Sequence, residues 1–203
     1  MRRSQWLALL GVALLLGLAV TLREYGVGTS TAPAAAPDVV AAPAPDLRAL
    51  RAAADLAPCP AGLGAALPDV TLPCLGGGAD VALRAAAPGR PTLVNLWAYW
   101  CGPCQRETPA LVAFSRRAGD RVGVVGIVHD DQPDQALKFN RDFGVHYPSV
   151  VDSDGEVLRG QFSGLPVTLF LDAAGRIAYT QRGPFTDLAQ LESLVAEHLG
   201  VQV

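Results

Sequence analysis

Two cysteines, Cys101 and Cys104, have the residue type and spacing best suited to chemistry, and they enclose Gly102 and Pro103. The apolar run 92–97 before them predicts a buried strand, and a helix-like run follows them. Two sulfurs three positions apart at a helix start can form and break a disulfide with little backbone movement. Because a helix start favours negative charge, the first thiol is expected to lose its proton more readily than a free cysteine. The stretch therefore predicts a redox site with a nucleophile and a resolving thiol.

The composition limits the classes of protein to which this chain can belong. It has 203 residues, of which 50% are hydrophobic, and this is enough for one sizeable core with material left over at the ends. The net charge is −3, and no basic patch rich in aromatic residues occurs. The sequence therefore gives no support for nucleic-acid binding.

The N-terminus predicts attachment to a membrane. Arg2 and Arg3 precede an uncharged apolar segment, 6–22, whose length is at the short limit for a membrane-spanning helix. We interpret residues 1–25 as an uncleaved signal anchor that places the rest of the chain outside the cytoplasm. A cleaved signal peptide is the alternative, although the small residues at 34–36 lie late for a cleavage site.

A tether and a short helix are predicted after this anchor, over residues 26–58. Residues 26–45 are rich in alanine and proline, which cannot fill a core and favour a semi-extended chain of at most about 60 Å. Asp46 is expected to cap a helix over 47–56, and Pro58 is expected to end it. The folded domain is then predicted to cover residues 59–203.

The other two cysteines, Cys59 and Cys74, are expected to form a structural disulfide. Disulfides persist outside the cytoplasm, and these two cysteines remain once the close pair is joined. Their bond closes a loop of about 16 residues, worth roughly 3 kcal/mol. A second redox pair is the alternative, although neither residue has a helix start or a charged neighbour to activate it. Zinc-ligand spacing is absent from the sequence, so no metal is expected.

The remaining elements alternate between strands and helices. A second buried strand follows the Cys-Gly-Pro-Cys helix, and this order predicts a right-handed parallel crossover. The pattern predicts strands at 70–72, 81–83, 122–128, 147–151, 167–171 and 177–180, a helix at 133–143, and an amphipathic closing helix at 186–199.

These motifs together resemble the TlpA/ResA-like membrane-anchored thiol–disulfide oxidoreductases of the thioredoxin superfamily. The resemblance runs from about Leu67 to the C-terminus. It rests on Leu-Trp-Ala-Tyr-Trp-Cys-Gly-Pro-Cys at 96–104, Glu-Thr-Pro at 107–109 and Gly-Leu-Pro-Val-Thr at 164–168. It implies an α/β thioredoxin fold, with a central mixed sheet flanked by helices, an N-terminal β-hairpin and an insertion over 130–162.

The resemblance also implies roles for individual residues. Cys101 is expected to be the attacking thiol and Cys104 the resolving thiol, and Pro166 is expected to be a cis-proline that faces the disulfide. An ordinary proline at a strand start is the alternative for Pro166. The residues expected to contact a partner protein are Trp100, Gly102, Pro103, Leu165 and Pro166.

Proton transfer is expected to differ from that of ordinary thioredoxins. Their buried aspartate corresponds here to Asn95, which cannot take a proton from Cys104. Glu107, one helical turn after Cys104, matches an acidic residue of the TlpA/ResA group and is expected to take that role. A solvated glutamate on the helix surface is the alternative.

The activity implied is the reduction of disulfides in exported proteins, and the CxxCH motif of apocytochrome c is a candidate substrate. The Cys101–Cys104 disulfide is the only redox group expected, the electrons come from a transmembrane donor, and the chain acts as a monomer. Oxidation of secreted proteins is the alternative in the same chemistry, because direction depends on the reduction potential. A copper chaperone and a catalytically silent domain are the alternatives from other classes. His129, His146 and His198 are each expected to be structural or solvated.

Overall fold

A five-stranded mixed sheet forms the centre of the fold, seen in a computed structural model that describes residues 46–129, 132–159 and 164–203. The elements of this part of the chain, numbered in order, are α1 (Leu47–Ala54), β1 (Thr71–Leu72), β2 (Val81–Ala82), β3 (Thr92–Trp97), α2 (Gly102–Ala118), β4 (Gly123–His129), α3 (Pro133–Phe143), β5 (Ser149–Asp152), β6 (Val167–Leu171), β7 (Ile177–Arg182) and α4 (Leu188–Leu199).

This part of the chain has the expected thioredoxin-like α/β fold, with helices flanking the sheet and a small hairpin, β1–β2, before it. The predicted anchor, 1–25, and residues 26–45 of the predicted tether lie outside the described residues. Among the residues that are described, no helix has the length and apolar character needed to cross a membrane.

The strand order of the sheet is β5–β4–β3–β6–β7, so β3 lies at its centre. β3 pairs in parallel with β4, which pairs in parallel with β5, whereas β6 runs antiparallel to both β3 and β7. Every residue of β3 is buried. A strand covered on both faces needs an apolar run, which explains the sequence Thr-Leu-Val-Asn-Leu-Trp and singles out its one amide side chain, Asn95.

The two faces of the sheet carry separate cores. On one face, Val94 and Leu96 of β3 pack with residues of the β1–β2 hairpin. On the other face, Leu93 of β3 packs with residues of α2 and α4. A third cluster, around Trp97, brings α1 and α3 together with Cys101 and the rest of the cysteine stretch. Because that stretch begins where β3 ends, these cores hold the start of α2 in place.

Gly126 of β4 leaves room for two side chains near the end of β3. It lies opposite Asn95 in β3 and Ser149 in β5. A Cβ atom at Gly126 would overlap the Ser149 hydroxyl and lie 2.8 Å from Trp97 Nε1. The Trp97 ring in turn packs on Phe139 of α3, with the ring centroids 4.6 Å apart. The glycine therefore permits the contact that joins α3 to the end of β3.

Two of the predicted starts are two residues too early, and local chemistry explains both. β5 starts at Ser149 and not at 147, because Pro148 has no N–H with which to join the sheet. α4 starts at Leu188 and not at 186, because Asp187 Oδ1 accepts the Gln190 N–H at 2.8 Å and caps the helix there. The helix α3 covers its predicted range.

Two of the predicted ends are wrong by two residues. α1 ends at Ala54 and not at 56, because Asp55 adopts a left-handed conformation with φ of 49° and its N–H donates to the Arg51 carbonyl oxygen. β7 continues to Arg182 and not only to 180, because Arg182 still pairs with Val167 of β6.

The structure joins Cys59 and Cys74 in a disulfide. Cys74 lies in the segment 73–75, which runs along the edge of the sheet beside β5. In this contact the Leu75 N–H donates to the Ser149 carbonyl oxygen at 2.8 Å. The bond therefore ties the chain that follows α1 to the segment that contacts this edge.

Replacing both Cys59 and Cys74 by serine is expected to lower the free energy of unfolding by about 3 kcal/mol, because the constraint on the unfolded chain is lost. Denaturant unfolding of the oxidised proteins measures this loss. As a control, the rate of disulfide exchange at Cys101 stays at the wild-type value. Unchanged stability together with lost exchange would instead make the pair a second redox centre.

Candidate active site

The Cys101–Cys104 pair lies where β3 passes into α2, and Cys101 caps the N-terminus of that helix. The Cys101 sulfur accepts a hydrogen bond from the Cys104 N–H at 3.2 Å. The two residues form a disulfide, with their Cα atoms 5.2 Å apart. Both side chains are largely buried, at 5% exposed for Cys101 and 1% for Cys104, but Cys101 lines a groove on the surface and Cys104 does not. A partner can therefore approach the first sulfur and not the second.

The groove beside Cys101 has a volume of about 720 Å³. Four of the five residues expected to contact a partner line it, namely Trp100, Gly102, Pro103 and Leu165. Trp100 is 54% exposed, which is unusual for so large an apolar side chain. The fifth residue, Pro166, follows a cis peptide bond, as expected, but it is buried and does not line the groove.

Another part of the groove wall comes from β4 and from the loop after β5, and the sequence analysis did not place it at the site. The residues are His129, Asp154, Gly155, Leu158 and Arg159. One signal pointed to His129, the last residue of β4. Because β4 is parallel to β3, both strands end at the same edge of the sheet, where the cysteines also lie.

The loop that follows β5 is shaped by Asp152 and Gly155. Asp152 Oδ1 accepts the Glu156 N–H at 2.8 Å, and its Oδ2 accepts the Val157 N–H at 2.9 Å. Gly155 has φ of 66°, and a Cβ atom there would lie 2.6 Å from His129 Cε1. The glycine therefore allows both the turn and the position of the imidazole ring in the groove wall.

The other two histidines have the structural surroundings that were expected. His146 Nδ1 lies 3.1 Å from the Asp55 carbonyl oxygen, and the His198 ring stacks on Tyr179 with the centroids 3.9 Å apart. In the part of the chain that is described, no group of three histidine, cysteine, aspartate or glutamate side chains is placed to hold a metal ion.

Glu107 of α2 is 1% exposed, so the alternative of a solvated glutamate is wrong. Its Oε1 accepts a hydrogen bond from Asn95 Nδ2 at 2.9 Å, and its Oε2 accepts one from the Phe185 N–H at 3.1 Å. Asn95 Nδ2 also donates to Thr168 Oγ1 at 2.9 Å. The sequence predicts Asn95 and Glu107 here but neither Thr168 nor Phe185, which are distant in the chain.

Burial raises the pKa of Glu107 from the ordinary 4.5 to about 7, and the hydrogen bonds from Asn95 and the Phe185 N–H limit the rise. A carboxyl group with this pKa can both accept and donate a proton near neutral pH. Glu107 lies three residues after Cys104 on α2, so the two side chains are neighbours on the helix. The Tyr147 phenol also lies in this region, where burial, and then the charge of Glu107, raise its pKa.

The raised pKa of Glu107 is expected to make the folded state less stable as the pH rises from about 4.5 to about 7. In that window the folded protein keeps a proton that the unfolded chain has released, so folding is favoured at the lower pH. The difference between the two pKa values corresponds to roughly 3 kcal/mol. Glu107→Gln cannot titrate and is expected to lack this loss. Denaturant unfolding of the two oxidised proteins across the window measures it, and parallel pH dependences would contradict it.

Comparison with known proteins identifies the family. The Redoxin family model matches residues 63–195. The chain is 35% identical over 127 residues to the thiol:disulfide interchange protein CycY of Rhizobium leguminosarum bv. viciae, covering 62% of this chain and 63% of that protein. It is 33% identical over 126 residues to the thiol:disulfide interchange protein HelX of Rhodobacter capsulatus, covering 61% and 70%.

Among solved structures, StoA from Bacillus subtilis is similar, with a TM-score of 0.50 and 26% identity over 61% of this chain and 96% of that one. The match to CycY thus spans less than two thirds of that relative's length, whereas nearly all of the StoA chain is matched. Residues 63–195, which the Redoxin model matches, contain the cysteine pair, the buried carboxyl group and the whole five-stranded sheet. The chain therefore belongs to the Redoxin family, as a TlpA/ResA-like thiol–disulfide oxidoreductase of the thioredoxin superfamily.

Proposed function

We propose that the chain is a membrane-anchored reductase that acts outside the cytoplasm on the disulfides of exported proteins. The observation that carries the proposal is the difference between the two sulfurs: Cys101 lines an open groove, and Cys104 is buried beside it. A reductase needs one sulfur that meets the partner and a second that the partner does not reach. The relatives named above support the chemistry, because they are thiol:disulfide interchange proteins.

The reaction proceeds by two exchanges between sulfurs. In the reduced chain, the Cys101 thiolate attacks one sulfur of the partner disulfide, and the other partner sulfur leaves as a thiolate. The Cys104 thiol then loses its proton and attacks Cys101, and the second partner sulfur leaves. The two cysteines lose two electrons, which the partner gains, and the chain ends in the disulfide form that the structure contains.

The start of α2 stabilises the thiolate of Cys101. The Cys104 N–H points at the Cys101 sulfur, at 3.2 Å, and it is one of the N–H groups at the helix start that lack a partner within the helix. Negative charge on the sulfur is favoured there by this hydrogen bond and by the helix dipole. The same hydrogen bond stabilises the Cys101 thiolate when it is the leaving group, as the Cys101–Cys104 disulfide is reduced again.

Glu107 takes the proton of the Cys104 thiol in the resolving step. The carboxyl group is buried next to Cys104 along the helix, and its pKa of about 7 matches proton transfer near neutral pH. Asn95, at the position of the aspartate of ordinary thioredoxins, has no acidic proton and no free basic site. Its part is to donate a hydrogen bond to the carboxylate.

The groove holds the partner chain beside Cys101. Trp100 offers an exposed apolar surface next to the reactive sulfur, and Leu165 borders the same space. A cysteine-bearing segment in extended conformation fits such a groove, and the CxxCH segment of apocytochrome c is the substrate we propose. The two cysteines of that segment must be reduced before haem is attached.

The N-terminal region sets the location in this proposal. In this proposal residues 1–25 anchor the chain in the membrane, and residues 26–45 form a tether of at most about 60 Å that holds the folded part on the outer side. Reduced cysteines do not persist in that compartment without a supply of electrons. We therefore propose a transmembrane protein as the donor and a monomer as the working form.

The direction of electron flow is tested by the reduction potential of the Cys101–Cys104 pair. The full chain, purified in detergent, is equilibrated with thiol–disulfide buffers, and the fraction of disulfide is measured by alkylation. A value near that of thioredoxin, about −270 mV, is expected for a reductase. A value near about −120 mV would contradict reduction and assign the chain to disulfide formation.

The substrate class is tested by trapping. Cys104→Ser removes the resolving thiol, so this variant is expected to accumulate a mixed disulfide with an oxidised peptide that contains CxxCH. Cys101→Ser is the matched control and forms none, because Cys104 is buried. Gel electrophoresis without reductant detects the adduct. An adduct with Cys101→Ser would reverse the roles assigned to the two cysteines. The absence of an adduct with Cys104→Ser would remove the proposed substrate class.

A further inference from the structure

The Asn95 side chain lies at a junction between two oxygen atoms. Its Nδ2 donates one hydrogen to Glu107 Oε1 at 2.9 Å and the other to Thr168 Oγ1 at 2.9 Å. All three side chains are buried, and each belongs to a different element: β3, α2 and β6. The arrangement satisfies both hydrogens of the amide when Glu107 is ionised.

The same arrangement does not suit Glu107 in its protonated form. Its Oε2 faces the Phe185 N–H at 3.1 Å, and an N–H group cannot accept the proton of a carboxylic acid. The proton is then best placed on Oε1, where the Asn95 NH₂ group also offers only donors. A buried O–H without an acceptor is costly, so the neutral acid requires a different partner at the junction.

Rotation of the Asn95 amide by 180° supplies that partner. The rotation places Oδ1 where Nδ2 lies, and a carbonyl oxygen has two lone pairs in place of the two hydrogens. It then accepts the proton of Glu107 Oε1 and the proton of the Thr168 hydroxyl. The hydroxyl can follow the change because it serves equally as acceptor and donor.

We propose that Asn95 and Thr168 are positioning residues for proton transfer at Glu107: the amide presents its nitrogen to the carboxylate and its oxygen to the acid. This inference rests on the proposed role of Glu107 in the resolving step. There the proton leaves the Cys104 sulfur for Oε1, and the electron pair left on that sulfur forms the bond to Cys101. The bond from Cys101 to the partner breaks at the same time, and the partner sulfur leaves as a thiolate. The amide then turns and holds the proton until the partner has been released.

The titratable groups around Glu107 are few in the part of the chain that is described. Tyr147 interacts with the carboxylate through its charge, and the Cys104 thiol appears one turn away when the disulfide is reduced. The other groups at this junction do not titrate near pH 7: they are the Asn95 amide of β3, the Thr168 hydroxyl of β6 and the backbone N–H of Phe185. In the oxidised chain, Glu107 is therefore the group that titrates near pH 7 at this junction.

The test uses the fact that the chain contains only two asparagines, Asn95 and Asn140. In NMR spectra, the full chain in detergent, oxidised and labelled with ¹⁵N at asparagine, shows the side-chain NH₂ groups of these two residues alone. Asn140 is buried elsewhere with neither amide atom hydrogen-bonded, and it serves as the internal control. The amide protons of Asn95 are expected to lose their nuclear Overhauser contacts to Thr168 as the pH falls through about 7, while those of Asn140 stay unchanged.

Variants separate positioning from a structural role. In Thr168→Val, one Asn95 N–H has no acceptor while Glu107 is ionised, whereas the rotated amide in the protonated form only has an oxygen that lacks its second hydrogen bond. Because an unpaired N–H is the costlier of the two, the ionised form is destabilised more, and the midpoint of the amide titration is expected to move to higher pH. Asn95→Leu removes the donor to Glu107, so the carboxylate is less stabilised. The pH at which the oxidised chain stops losing stability, which reports Glu107, is expected to rise by about one pH unit, tenfold in proton concentration. Thr168→Ser keeps the hydroxyl and the wild-type midpoint, and Glu107→Gln abolishes the amide titration.

Amide contacts that are identical above and below pH 7 would overturn the proposal, as would wild-type midpoints in both Thr168→Val and Asn95→Leu. The outcome is independent of the proposed function, because the oxidised chain needs no partner for the amide titration. A chain that reduces no disulfide but shows the amide rotation would remove the reductase assignment alone. A reductase whose amide does not rotate would remove this inference alone.

Discussion

The buried Glu107 carboxyl group is held by hydrogen-bond donors, and no cation among the described residues pairs with it. The site depends on how the fold supplies those hydrogen bonds. α2 carries the carboxyl group, β3 supplies the Asn95 amide, and the segment before α4 supplies the Phe185 N–H. β6 adds the Thr168 hydroxyl, which holds the amide from its other side. Because each partner comes from a different element, the carboxyl group is satisfied only when the whole sheet and its helices have assembled.

The helix that buries Glu107 also distinguishes the two sulfurs. Both cysteines belong to the cluster around Trp97, but Cys101, before the first turn of α2, also borders the groove, whereas Cys104, inside that turn, does not. One helical turn further on lies the carboxyl group. A single helix thus carries the sulfur that borders the groove, the sulfur that does not, and the proton acceptor, in that order along the chain.

Most of the fold could be predicted from the sequence, because apolar periodicity is a local property. The strands β3, β4 and β6 and the helix α3 occur where their patterns indicate. The wrong boundaries of α1, β5 and α4 lie at caps and at a proline, where one residue decides the end, and that of β7 depends on its pairing with β6. The groove wall at His129 and Arg159 was not predicted, because it depends on which strands are neighbours and on how the loop after β5 turns.

The sequence by itself determined the chemistry: two cysteines at a helix start after a buried strand, with an acidic residue one turn later. Spacing along a helix is enough for that, since residues three apart are neighbours whatever the rest of the chain does. Only the tertiary structure decided that Glu107 is buried, that its pKa is near 7, and that Thr168 and Phe185 take part. Burial and hydrogen-bond partners arise from residues that are distant in the chain, and no local pattern contains them.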